Sequence, residues 1–223
     1  MNIQRRIDRL CLSLDRQTKS FAEDKSGKLL LLGQKDSLFL KAIKRKADSL
    51  GVLCDFGTIN PPYTGVVADN EDPGSVRFPI MSDVDIDCVK APGMSCVAQA
   101  IIMLLSDCGL IEENTITIVG RGHAVKGLAQ ALIEEDATVT VAHSKTLDLY
   151  RATEDKSVVI YATPMLTQYP CFNTRNLVID LGNCFTEKDR ECFKCNFVGN
   201  IGRLTVSVLL NRFVKEYDGT FVI

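Results

Sequence analysis

The stretch Thr115-Ile-Thr-Ile-Val119 running into Gly120-Arg121-Gly122-His123-Ala124-Val125 decides the fold of this chain. Five β-branched residues in a row predict a short buried strand. The glycines stop it, and Ala124 to Glu134 then returns to helical spacing. A strand that hands over to a helix through glycines leaves backbone N–H groups unpaired beside the positive end of the helix. Both favour an anion, and a phosphate above all. Glycine also lets the backbone approach a pyrophosphate closely. The Gly-x-Gly-x-x-Gly pattern is incomplete, because Val125 stands where the third glycine falls. A tight structural connection fits the same letters, so both readings stay open at this point.

Outward from that turn the rhythm continues. Ala137 to Ala142, Ser157 to Tyr161 and Asn176 to Leu181 read as strands, and Ser95 to Ser106 as a helix before the polar turn Glu112-Glu113-Asn114. Strands alternating with helices imply right-handed crossovers and a mainly parallel sheet. Toward the N-terminus, residues 2–18 space Ile3, Ile7, Leu10 and Leu14 as an amphipathic helix. Lys28 to Leu32, Val52 to Phe56 and Gly65 to Ala68 read as strands, Asp36 to Leu50 as a helix stopped by Gly51, and Asp69 to Pro79 as a loop. The last helix is Arg203 to Tyr217. The fold class is therefore α/β with two domains. An N-terminal α/β domain covers 1–93 with the C-terminal helix 206–223, and a Rossmann-type nucleotide-binding domain covers 94–205.

Composition excludes several classes. With 46% apolar residues and a net charge of −2 the chain is neither disordered nor basic, which removes nucleic acid and an anionic membrane as expected partners. The apolar run around Cys96 to Ile111 is broken by Gln99, Ser106 and Asp107, too short and polar to span a bilayer. The Arg- and Asp-rich first residues lack the apolar core of a signal peptide. Nine cysteines then read as reduced thiols of a cytoplasmic protein. Cys192 and Cys195 have the spacing of a metal knuckle without a second pair, so no metal is expected.

After the Ala137–Ala142 strand, the acid that commonly holds the ribose of NAD is missing. His143-Ser144-Lys145 stands there instead. With Arg121 these residues suit the extra 2′-phosphate of NADP over NAD; a solvated polar loop is the alternative.

Taken in order, these segments resemble the methylenetetrahydrofolate dehydrogenase/cyclohydrolase family. Val119-Gly-Arg-Gly-His-Ala-Val125 resembles its V-G-R-S-x-I-V, and Ala137 to Thr146 is similar to its A-T-V-T-x-x-H-S-x-T. Val178-Ile-Asp-Leu-Gly182 resembles V-I-D-V-G, and Gly199 to Thr205 resembles G-G-V-G-P-M-T. Asp83-Val-Asp85 is similar to the D-V-D of the folate domain. Ser37 and Lys44 keep the spacing of S-x-x-Y-x-x-x-K. The resemblance implies hydride transfer from 5,10-methylenetetrahydrofolate to NADP, followed by hydrolysis of the methenyl product. It implies a homodimer acting on a folate-type small molecule. Lys44 then matches the catalytic lysine, whose proton transfer needs a pKa lowered by desolvation, and Asp85 the pterin-holding acid. Gly120, Arg121, Gly122, Val125, His143, Ser144 and Thr205 fall on cofactor-binding positions.

The chain also departs from the pattern. The tyrosine falls on Leu40, the Q-L-P-L-P segment is absent after Ala68, and P-C-T-P becomes Ser95-Cys-Val-Ala98. These changes gather where substrate chemistry belongs, and the hydrolysis suffers more than the hydride transfer. Three functions stay open: the dehydrogenase, a nucleotide-binding pseudoenzyme acting through a partner, and an oxidoreductase for another pterin-like substrate.

Overall fold

The computed structural model describes residues 2–23, 27–57, 63–69, 80, 84–164, 170, 177–193, 195–199 and 201–216. The loop expected from Asp69 to Pro79 lies outside them beyond Asp69, as do Asp83, Asn176 and Tyr217. The chain divides into two compact units: an N-terminal unit, Asp8–Cys96 with Gly202–Ile223, and a central unit, Val97–Ile201 with Met1–Ile7.

In the N-terminal unit a three-stranded parallel sheet has the order β2-β1-β3, with β1 Lys28–Leu32, β2 Leu53–Phe56 and β3 Gly65–Ala68. Leu29 to Leu32 are buried on both faces of β1, as a continuous apolar run in a parallel sheet predicts. Helix α1 (Ile3–Ala22) turns Cys11, Leu14 and Thr18 inward. Helix α2 (Leu38–Leu50) starts where the Ser37 side chain accepts from the Leu40 N–H, and ends at Gly51 in the left-handed conformation, φ 76°. The C-terminal helix, α7 (Ile201–Glu216), is buried on every side from Leu204 to Asn211. Its polar groups therefore need partners: the Ser207 hydroxyl donates to Asp15, and the Asn211 amide donates to Thr18 Oγ1. Phe213 lies so close over β3 that a Cβ on Gly65 would stand 2.6 Å from its ring.

The central unit holds a five-stranded, wholly parallel sheet. Its strands are β4 (Thr115–Val119), β5 (Thr138–Ala142), β6 (Val158–Tyr161), β7 (Leu177–Asp180) and β8 (Asn196–Val198), in the order β5-β4-β6-β7-β8. Helices α3 (Cys96–Cys108), α4 (Leu128–Glu134), α5 (Leu149–Thr153) and α6 (Glu187–Phe193) pack about it. One core cluster gathers Val119, Ala142, Leu149, Val159, Tyr161 and Phe185, with Tyr161 edge-on to Phe185 at 4.9 Å. The chain leaves β4 for β5 on one side and returns past it to β6 on the other. That reversal opens a crevice at the strands' carboxyl ends.

One expected element is corrected. The helix read from Ala124 to Glu134 is broken: His123–Val125 is a single 3₁₀ turn, Lys126 is extended, and Gly127 is left-handed at φ 79° before α4 begins at Leu128. A continuous helix cannot pass through Gly127 in that conformation. Elements α5, α6 and β8 have too few residues to show a period in the sequence. No helix among the described residues is long and apolar enough to cross a membrane.

Candidate nucleotide site

The crevice at the β4/β6 reversal holds a cavity of about 240 Å³, lined by Val119, Gly120, Arg121, Gly122, His143, Ser144, Thr146, Leu149, Ala162 and Thr163. Five of the seven expected cofactor positions meet there. Gly120 has φ 122°, and its N–H donates to Ala142 O at 2.8 Å. An added Cβ would stand 2.5 Å from the Ala162 carbonyl oxygen, so only glycine lets β4 pass the loop after β6. Gly122 is different: extended, with nothing within 4 Å of its would-be Cβ. The N–H groups of Arg121 and Gly122 donate to no partner among the described residues. The amides and the open face at Gly122 are a cradle of the kind a phosphate fills. The donor is not a helix end, as the broken segment above shows, but the backbone of the turn itself.

The floor after β5 is a closed turn. The His143 N–H donates to Thr146 Oγ1 at 2.9 Å, and the Thr146 N–H returns to His143 O at 2.8 Å. The Lys145 N–H donates to His143 Nδ1, which leaves Nε2 as the N–H of the neutral ring. Arg121, Ser144 and Lys145 are exposed, and no acid among the described residues lines the cavity. Ala162 and Thr163 escaped the sequence reading because strand order, which sets β6 beside β4, is not written in the sequence. Gly182 fixes that wall from behind: any side chain on it would overlap the Thr163 carbonyl.

The remaining expected positions lie elsewhere. Val125 is buried and outside the cavity lining. Thr205 is buried on α7 in the N-terminal unit. Lys44 sits on α2 and pairs with Asp48 one turn on, which raises its pKa above the ordinary lysine value. That is the reverse of the lowered pKa that proton transfer by this lysine requires, and it arises because a carboxylate stabilises the charged form while burial is slight. Asp85 is buried, and its carboxylate accepts from the N–H groups of Val89, Lys90 and Ala91 at 3.0, 2.6 and 2.9 Å. It staples its own loop. Leu40, at the tyrosine position, is fully buried, and its Cδ1 would stand 3.0 Å from a Cβ on Gly33. No group of three or more potential metal ligands occurs among the described residues, and their cysteines are free thiols.

A parallel sheet with an open cradle at its reversal defines the class: a Rossmann-type nucleotide-binding unit joined to a second α/β unit. Residues 95–196 match the family model of the tetrahydrofolate dehydrogenase/cyclohydrolase NAD(P)-binding domain. The bifunctional protein FolD of Listeria monocytogenes is 29% identical over 137 residues, 54% of this chain and 48% of that protein. The crystal structure of bifunctional FolD from Campylobacter jejuni aligns with TM-score 0.74 at 17% identity, over 96% of both chains. That of the Trypanosoma brucei enzyme, complexed with NADP and an inhibitor, aligns with TM-score 0.70 at 18% identity, over 97% and 96%. The chain spans about half the length of the curated relatives it matches. The chain is similar to FolD proteins, and residues 95–196 match the family's NAD(P)-binding domain.

Proposed function

We propose that this chain is an NADP-dependent methylenetetrahydrofolate dehydrogenase with little cyclohydrolase activity, cytoplasmic and homodimeric. The observation that carries the reading is the cradle of unpaired Arg121 and Gly122 amides beneath an open glycine face. The residues present fit a dinucleotide. The amides would hold the pyrophosphate, and Gly120 keeps the strand end close enough to do so. The Arg121 guanidinium and the Ser144 hydroxyl would take the 2′-phosphate of NADP. A carboxylate after β5 would repel that phosphate, and His143-Ser144-Lys145 supplies none. NADP held there would supply the hydride acceptor.

The folate side supports the weaker half of the reaction. Dehydrogenation depends chiefly on holding donor and acceptor face to face. Hydrolysis needs a positioned proton carrier, a group commonly contributing ~10²–10⁴-fold in rate. Here Lys44 is held charged by Asp48, and Leu40 offers no hydroxyl. The test is a titration with NADP and NAD, followed by assays of NADPH formation from methylenetetrahydrofolate and of methenyl hydrolysis. Expected are tighter binding of NADP, NADPH formation, and hydrolysis that hardly rises above the uncatalysed rate. Rapid hydrolysis abolished by Lys44→Ala would overturn this assignment.

A second reading has a specific observation behind it. Asp85, the pterin-holding position, is committed to three amides of its own loop. A nucleotide-binding protein that acts through a partner keeps the cradle and needs no free Asp85. Binding of NADP without any turnover selects it.

A further inference from the structure

We propose that Thr146 sets the preference of this site for a 2′-phosphorylated dinucleotide, acting through the turn that carries Ser144 and Lys145. Strand β5 is an edge strand among the described residues, and its register with β4 ends at Ala142, whose carbonyl accepts the Gly120 N–H. The next amide, the His143 N–H, therefore falls beyond the ladder and needs a partner of its own. The Thr146 hydroxyl supplies it. Its Oγ1 accepts that N–H at 2.9 Å, while the Thr146 N–H donates to His143 O at 2.8 Å. Two bonds between the same two residues close a four-residue ring.

A third bond braces the inside of the ring. The Lys145 N–H donates to His143 Nδ1 at 3.1 Å, so the imidazole supports the middle of the turn. Ser144 and Lys145 form the tip and are exposed, whereas His143 and Thr146 are half-buried. Ser144 lines the cavity beside Arg121. A hydroxyl at the tip of a loop binds a phosphate well only if the loop is ordered beforehand, because ordering it on binding subtracts from affinity. Thr146 is thus a positioning residue: its hydroxyl holds the turn, and the turn presents Ser144 to the ligand.

The pyrophosphate cradle does not share this support. It is built from Arg121 and Gly122 after β4, with Gly120 fixed by its own bond to Ala142 O. Loosening the 143–146 turn therefore weakens the hold on the 2′-phosphate and leaves the rest of the dinucleotide in place. The role rests on a dinucleotide occupying the cavity, and adds to that reading a source for the choice between NADP and NAD. A threonine that merely stiffened the unit would change both affinities alike.

Titration of the full chain with NADP and with NAD, for the wild type, Thr146→Val and Thr146→Ser, reads the outcome. Valine keeps the shape and the backbone bond and lacks Oγ1; serine keeps Oγ1. Thr146→Val is expected to bind NADP about three- to tenfold more weakly, the worth of one hydrogen bond, with NAD changed less than about twofold. Thr146→Ser should keep the wild-type ratio. Without any nucleotide, amide exchange at His143 should quicken in Thr146→Val and not in Thr146→Ser. An unchanged NADP-to-NAD ratio in Thr146→Val, equal losses for both dinucleotides, or a serine variant as impaired as the valine overturns the proposal. A wild type that binds neither dinucleotide removes the nucleotide reading and this role with it. A wild type that prefers NADP beside a valine variant that prefers it equally removes the role alone.

Discussion

Gly120 and Gly122 line one cavity and carry opposite constraints. A methyl on Gly120 meets the Ala162 carbonyl oxygen at 2.5 Å with φ at 122°, whereas a methyl on Gly122 meets nothing. Gly120→Ala is therefore expected to cost about 2–3 kcal/mol in chemical denaturation, the range of a forced left-handed, overpacked position. Gly122→Ala should leave stability within about 0.5 kcal/mol, as surface changes do. The cysteines separate in the same way. Burial pushes the Cys54 thiol up to about 12, and Cys96 well above the ordinary range, whereas Cys192 is exposed. A thiol whose folded pKa lies above its unfolded value keeps its proton in the native state. Its contribution to stability is full below about pH 9 and is lost as pH climbs toward about 12. Native alkylation at pH 8 should mark Cys192 and spare Cys54 and Cys96; labelling of Cys54 at the rate of Cys192 would contradict the packing of β2.

The elements owe their shape to a few polar staples. Asp85 gathers three amides of the 89–91 turn, and Arg212 on α7 donates to Ile86 O at 3.0 Å and Met94 O at 2.9 Å, tying the same loop to the C-terminal helix. Asp85→Ala would strand three N–H groups, that of Ala91 buried and those of Val89 and Lys90 partly so. It is expected to cost about 2–4 kcal/mol, read as a lowered denaturation midpoint with an unchanged slope. Loss of folate binding without loss of stability would instead return Asp85 to a ligand role. In the central unit Asp180 does similar work, accepting from the Cys184 and Phe185 amides and pairing with Arg190. The staples explain what the sequence reading could and could not see at this scale. Strands β1 and β6 announce themselves by apolar runs, β4 by its five β-branched residues, and α2 by its period and by Gly51. The turn after β4 looked helical because Ala124 to Glu134 keeps helical spacing on both sides of Gly127, and periodicity carries no information about φ.

For the molecule as a whole, local signals sufficed for the fold class, because alternation of strand and helix leaves few topologies open. The site was legible only in part. Gly120 to Gly122 and His143-Ser144 lie on the ends of adjacent strands and could be read directly. Ala162 and Thr163 arrive through strand order, whereas the partners of Lys44 and Asp85 are local, Asp48 one turn along α2 and the amides of Val89, Lys90 and Ala91 just after Asp85. The account stands on the cradle at the β4/β6 reversal. Calorimetric titration with NADP of the wild type beside Gly122→Val tests it most directly. The account predicts saturable one-to-one binding by the wild type, a loss of at least about tenfold (1.4 kcal/mol) when the valine fills the open face, and an unchanged fold. Equal affinity in the two proteins, or no binding by the wild type, would contradict it.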